Sequence, residues 1–275
     1  RQMCIRDRAI RQATMSALAC YFNSPSKTVV SLDTGKTTRF RSEVNGIDLG
    51  DLADCTEVTT ETLKQVEQLT AGVHDQGGLP VLLGGDGRIL EGLITGLQSS
   101  SSEFGLLVIS NRLDIPGVNG LSSKALSALL PVSPNSENYP LLTLGANGIQ
   151  PHENWKEINK IHGNVVSAED IHEQGEEVAL KAIQQFSLQN NQIVCVIDAG
   201  VLDTGFASGT PGLNVGGLTP LQLIDILSKA SLAPKLAGVC VSNVAPLLDA
   251  RGHSQYAIAK ALLAILGERL FEEIS

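Results

Sequence analysis

The chain has 275 residues, 43% of them hydrophobic and 18% charged, with a formal net charge of -9. It is long enough to bury a sizeable core. No apolar run approaches the roughly 20 residues that span a bilayer, and no Lys/Arg run offers a site for nucleic acid or anionic lipid, so neither is expected as a partner and small cationic molecules remain open. The cysteines Cys4, Cys20, Cys55, Cys195 and Cys240 are scattered with no CxxC pair. That excludes a disulfide framework or structural zinc and, with no secretory signal visible, points to a reducing cytoplasm.

The opening RQMCIRD, residues 1–7, shows neither helical nor strand period and resembles a translated adapter scar. It is set aside, leaving 8–275 as one domain that would lack its first strand. A helix is expected over Ala9 to Tyr21, then short β runs at Thr28 to Leu32 and Val44 to Leu49. Thr59 or Thr60 can cap a helix with Leu63, Val66, Leu69 and Val73 on one face, closed by Gly77 and Gly78. A strand follows at Leu79 to Leu83, then a helix from Ile89 to Leu97 and a strand from Gly105 to Ile109.

Beyond them lie a strand at Tyr139 to Leu144, a helix at Asn154 to Ile161, a short strand near Val165 and a helix at Glu176 to Phe186. The series closes with strand Gln192 to Ile197, helix Pro220 to Ala230, strand Leu236 to Val241 and a final helix, Ser254 to Phe271. Strands apolar on both faces and alternating with helices mean a mostly parallel sheet covered on both sides, an α/β protein of three α/β/α layers. Ligands of such sheets bind beyond the carboxyl ends of the strands. The loops Gly84 to Arg88, Ser110 to Gly120, Asp198 to Gly217 and Ser242 to Gly252 are therefore where a site belongs.

The turn GGDGR, with Asp86, Gly87 and Arg88, lacks the endings of both a P-loop and a dinucleotide fingerprint. Taken alone it is a tight strand-to-helix turn. The run VIDAGVLDTGFASGTPGLNVGGLT, Val196 to Thr219, says more: it resembles the late-strand motif SxDxDxxDPxFxPGTGTPxPGGLT of the ureohydrolase superfamily, which includes arginase, agmatinase and formimidoylglutamase. RAIRQAT, IDLGDL, LPVLLGGDG, VISNRLD and GVCVSNVAPLLD resemble further segments of that family in the same order, nearest in spacing to the agmatinase branch.

The resemblance implies the arginase-like fold and hydrolysis of a guanidino or formimino C–N bond by a hydroxide held between two manganese ions, which need carboxylate and imidazole ligands. Carried over by position, the histidine of GGDH falls on Gly87, and the ligands of DAHxD fall on Ser110, Arg112 and Asp114. Those of SxDxD fall on Asp198 and Gly200. Only Asp114 and Asp198 remain as vestigial ligands, so the binuclear site is expected to be lost and no cofactor is expected. The family's substrate-binding glutamate falls on Gln222, and the glutamate of its VVEV strand on Asn243. Thr219, Pro220 and Gln222 also read as a capping box, a purely structural role, and Asp203 and Gly209 as loop-shaping residues.

Buried carboxylates without a metal need replacement charge, so Arg112, helped by Arg88, is expected to pair with Asp114 and Asp198, and Arg112→Ala would then cost about 3 kcal/mol. These residues suggest a non-catalytic protein whose former cleft binds a small cationic ligand, or a subunit regulating an active paralogue. Relatives assemble as trimers and hexamers, so a homo-oligomer or hetero-oligomer is expected. The alternative is a metal-dependent amidine or guanidine hydrolase with an atypical site.

Overall fold

The computed structural model describes residues 2–30, 36–44, 46–52, 58–84, 86–99, 103–115, 140–249 and 251–274, the side chains of 2–7 and 20–22 excepted. Six parallel strands form its central sheet: β3 (Val81–Leu83), β4 (Gly105–Ile109), β5 (Leu141–Ala146), β6 (Asn164–Ser167), β7 (Ile193–Asp198) and β8 (Leu236–Ser242). They lie in the order β3-β8-β7-β4-β5-β6. Every residue of β4, β5, β7 and β8 is buried. Such strands can only be parallel and covered on both faces, as their unbroken apolar runs require.

Strand alternation divides the core in two. Ile109, Ile197 and Val241 face the helices Glu177–Gln189, Pro220–Lys229 and His253–Leu270, while Val108, Val196 and Cys240 face the helix Ile89–Gln98 and Ile158 of His152–Lys160. The result is three layers, as expected.

The helix Thr60–Asp75 packs on Ile89–Gln98 through Gly92 and Gly96. A Cβ on Gly92 would lie 2.8 Å from the Leu63 carbonyl oxygen, and one on Gly96 would lie 2.6 Å from that of Glu67. Each glycine costs its helix roughly 1 kcal/mol of propensity, and the two stand four apart on one face because backbone must approach backbone there. Thr62, Val66 and Thr70 are the buried residues of the first helix, whereas Leu69, expected on its apolar face, is 43% exposed.

A second, three-stranded antiparallel sheet orders β1 (Thr28–Val30), β2 (Thr37–Phe40) and β9 (Phe271–Ile274). Neither β2 nor β9 was anticipated: four-residue strands carry too little alternation, and FEEI reads as a helix tail. The final helix therefore stops at Leu270 rather than Phe271. A short helix, Ala168–Gln174, was also unanticipated, although Ser167 and Asp170 form its capping box. Val44 to Leu49 is not a strand in its described residues; Asp48 there accepts from the Gly50 amide and pairs with Arg11. The helix Gln2–Asn23 runs through residue 7 without a break, which corrects the aperiodic reading of 2–7: extending an existing helix costs far less than nucleating one. Ser31, Leu32 and Tyr139, included in the expected strands, lie outside the described residues.

Gly92→Ala should destabilise the protein by about 1–3 kcal/mol despite alanine's better helix propensity, because the added methyl meets backbone. A urea melt with unchanged slope and a lower midpoint is the expected result.

Candidate functional site

Chain order decides where the site can be. From β4 the chain continues outward to β5 and β6, while from β7 it continues the other way to β8, so the connections diverge between the adjacent strands β4 and β7. A crevice opens at such a point beyond the carboxyl ends. Ser110 follows β4, and Asp198 ends β7.

Register places three polar residues side by side there. Ile109 pairs with Ile197, Ile197 with Val241, and Asp198 with Ser242. One residue further on, Ser110, Asp198 and Ser242 form a row across β4, β7 and β8, on the face below which lie Val108, Val196 and Cys240. All three are buried, Asp198 being 1% exposed. The Ser110 hydroxyl donates to Asp198 Oδ2 at 3.0 Å and accepts from the Arg112 amide at 3.2 Å. The Gly200 amide donates to Asp198 Oδ1 at 2.8 Å, and the nearby Asn243 side chain also favours the charged carboxylate. The Asn243 backbone is left-handed, φ 60°, a conformation asparagine tolerates.

Burial nonetheless pushes the Asp198 carboxyl above its ordinary value, against the pull of Gly200, Asn243, Ser110 and the more distant Arg112 charge. Burial likewise raises both neighbouring thiols, that of Cys240 to about 12, so neither is a nucleophile near neutral pH.

The expected arginine pairing holds at Asp114, while at Asp198 Arg112 acts only as a more distant charge. Arg112 Nε pairs with Asp114 Oδ1 at 3.1 Å, their side chains 52% and 28% exposed. Arg88 folds onto Asp86, its amide 2.9 Å from Oδ1 and its guanidinium 2.8 Å from Oδ2, an Asx-type turn that starts the helix Ile89–Gln98. Asp198 is instead satisfied by neutral donors. A long side chain two residues from its partner closes an ion pair within one loop more readily than across strands. Gly87 is buried in the same turn, and Gly84 at its start donates to the Val241 carbonyl, bringing β3 to the edge of β8.

A Cβ on Gly200 would lie 3.1 Å from both Asn111 Oδ1 and Asp198 Oδ1, so the Asn111 amide takes up the space beside it. Gln150 holds that loop, accepting from the Leu113 amide at 3.1 Å and donating to the Asn111 carbonyl at 3.0 Å. Asn111, Gln150 and Asn214 were missed in the sequence, where lone amide side chains carry no spacing signal. Asn214 Nδ2 donates to the Gly200 carbonyl at 2.8 Å and pins the loop after β7.

Gln222 closes the expected capping box, with the Thr219 amide 3.0 Å from its Oε1, and its amide reaches His172 Nδ1 at 3.4 Å. Asp203 accepts from the Gly205 and Gly216 amides, both at 2.7 Å, which hold its carboxyl below the usual range. Gly209 meets Ser254, and Asp249 caps the last helix through the His253 and Ser254 amides. The loop residues 116–120 and Ala250 lie outside the described residues.

Known proteins share this fold. The sequence profile of the arginase family matches residues 9–267. The formimidoylglutamase of Bacillus subtilis (strain 168) is 24% identical over 81% of this chain and 73% of its own length. Among solved structures, arginase from Bacillus subtilis superposes with a TM-score of 0.74 at 18% identity, covering 97% of this chain and 93% of its own. Trypanosoma cruzi formiminoglutamase (oxidized) with Mn2+2 superposes with a TM-score of 0.70 at 14% identity, covering 93% and 84%.

The expectation of no cofactor is corrected by these matches: an arginase-family match points to manganese, and one matched structure contains it. Among the described residues no three His, Cys, Asp or Glu side chains gather as a metal-holding group. One buried carboxylate with hydroxyls and amides does not make up the carboxylate-and-imidazole set of a two-metal centre, so no chemical step is derived through manganese.

Two outcomes follow from this geometry. Arg112→Ala should lower stability by less than about 1 kcal/mol in thermal unfolding, because its ion pair is solvated. Raising a carboxyl's folded pKa makes its contribution to stability greatest below its unfolded value of 3.8 and smaller as pH rises through the folded value. Asp198→Asn, whose amide can still bond Ser110 and Gly200, should therefore gain stability relative to the parent as pH climbs from 4 towards neutrality. Urea melts across that range would contradict this if the difference were flat.

Proposed function

This chain belongs to the arginase family, whose profile spans residues 9–267, and on that premise we propose that it binds a small cationic ligand at the β4/β7 crevice without hydrolysing it, as a ligand-binding or regulatory member. The observation that carries this reading is the state of Asp198. Both of its oxygens are already bonded, by the Ser110 hydroxyl at 3.0 Å and the Gly200 amide at 2.8 Å. Buried and already bonded through both oxygens, this carboxyl is poorly placed to meet an incoming water. Asp86 and Asp114 are each already paired with an arginine, so it is the chain's net charge of -9 that favours a cation over an anion as the ligand.

A second reading is favoured by the relatives. Formimidoylglutamase and guanidinobutyrase match this chain, and a structural relative holds Mn2+2. On that reading the protein hydrolyses linear amidine or guanidine C–N bonds with manganese and an atypical set of ligands.

Purified protein loaded with manganese separates the two. Arginine, agmatine, 4-guanidinobutyrate and N-formimino-L-glutamate should give no urea, ammonia or formamide above the blank, while at least one cationic member of the set raises the melting temperature. Metal-dependent turnover of any of them would overturn the first reading and establish the second.

A further inference from the structure

Arg112 carries more hydrogen-bonding capacity than its surroundings use. Its Nε pairs with Asp114 Oδ1 at 3.1 Å and its backbone amide donates to Ser110 Oγ at 3.2 Å, but among the described residues neither terminal nitrogen of the guanidinium meets a hydrogen-bond partner. One edge of the planar group, Nη1 with Nη2, is therefore left over. The side chain is half-exposed in the loop after β4, and its charge reaches the Asp198 carboxyl at the end of β7. It thus stands at the mouth of the β4/β7 crevice. Two further groups there are unmet. The Ser242 hydroxyl, buried in the row with Ser110 and Asp198, has no partner among the described residues, which is costly for a group withdrawn from water. The Asn111 side chain, beside Gly200, makes no hydrogen bond among them either. With the carboxylates already engaged, the capacity left for a ligand is a cationic edge at the mouth and neutral groups deeper in.

We propose that Arg112 selects the ligand by receiving a carboxylate on its free guanidinium edge, so that the crevice takes a cation that also bears a carboxylate, its N–H groups turned towards Asn111 and Ser242. This rests on the cationic-ligand reading above. The resemblance to the ureohydrolases places a metal-ligating histidine at this position, so the anchor is this chain's own departure. A guanidinium and a carboxylate match as a two-bond fork, which a lysine ammonium cannot present. Asp114 engages Nε and leaves that edge open. The net charge of -9 disfavours a free anion, so the carboxylate arrives attached to a cationic end. A ligand with an ammonium in place of the carboxylate meets a like charge at Arg112 and is repelled.

Calorimetric titration of the full chain tests it with 4-guanidinobutyrate, with agmatine, whose opposite end is an ammonium, and with butyrate, which has no cationic end. 4-Guanidinobutyrate should bind at least about ten-fold more tightly than agmatine, the scale of a charge-assisted fork. Arg112→Gln should abolish that preference while leaving agmatine binding no weaker, and Arg112→Lys should restore only part of it. Both substitutions change a solvated side chain, so unfolding midpoints should stay near the parent's. Agmatine bound as tightly as 4-guanidinobutyrate by the parent, or a preference that survives Arg112→Gln, would overturn the proposal and leave the cationic-ligand reading standing. Butyrate bound through Arg112 as tightly as 4-guanidinobutyrate would keep the carboxylate anchor and overturn that reading. Binding of none of the three would overturn both.

Discussion

A buried carboxylate at the centre of a parallel sheet is the constraint around which the rest of this site is arranged. Asp198 is 1% exposed, and removing an ionised carboxyl from water without compensation costs several kcal/mol. The fold compensates with uncharged donors: a hydroxyl from the neighbouring strand end and a backbone amide two residues on, with the Asn243 side chain nearby also favouring the charged form. Each donor stabilises the charged form of the carboxyl against its burial.

The placement of that carboxylate follows from simpler forces. Strands without polar residues must be covered on both sides, and their order makes β4 and β7 neighbours whose connections part company. The residues just beyond them are the first free to be polar, and register then sets Ser110, Asp198 and Ser242 in one row. Around the row, the turn of Asp86 and Arg88 and the pair of Arg112 and Asp114 each settle their own charges within a few residues. The strand ends thus carry a hydrogen-bonded carboxyl flanked by separately paired charges. No helix among the described residues is long and apolar enough to cross a membrane.

Much of this was legible in the amino-acid sequence, for identifiable reasons. Long apolar strands such as β4 and β7 announce themselves because burial on both faces leaves no other composition, and Thr219 with Gln222 announces a helix start because a capping box fixes both residue type and spacing. The strands β2 and β9 were not legible, since four residues that pair in a small, partly exposed sheet need no apolar pattern. The positions of the site were readable from motif order, but their partners were not. Charge balance suggested that Arg112 would pair with both Asp114 and Asp198; geometry paired it with Asp114, because a neighbour in the same loop costs less conformational entropy than a partner across the sheet. Asn111, Gln150 and Asn214 carry the loop geometry and left no trace in spacing at all.

A crystal structure grown with manganese and refined at high resolution tests the central claim most directly, because it shows which atoms Asp198 touches. The account predicts that its carboxylate still bonds the Ser110 hydroxyl and the Gly200 amide, with Asn111 beside Gly200. A carboxylate of Asp198 turned away from both and shared between two metal ions would contradict it.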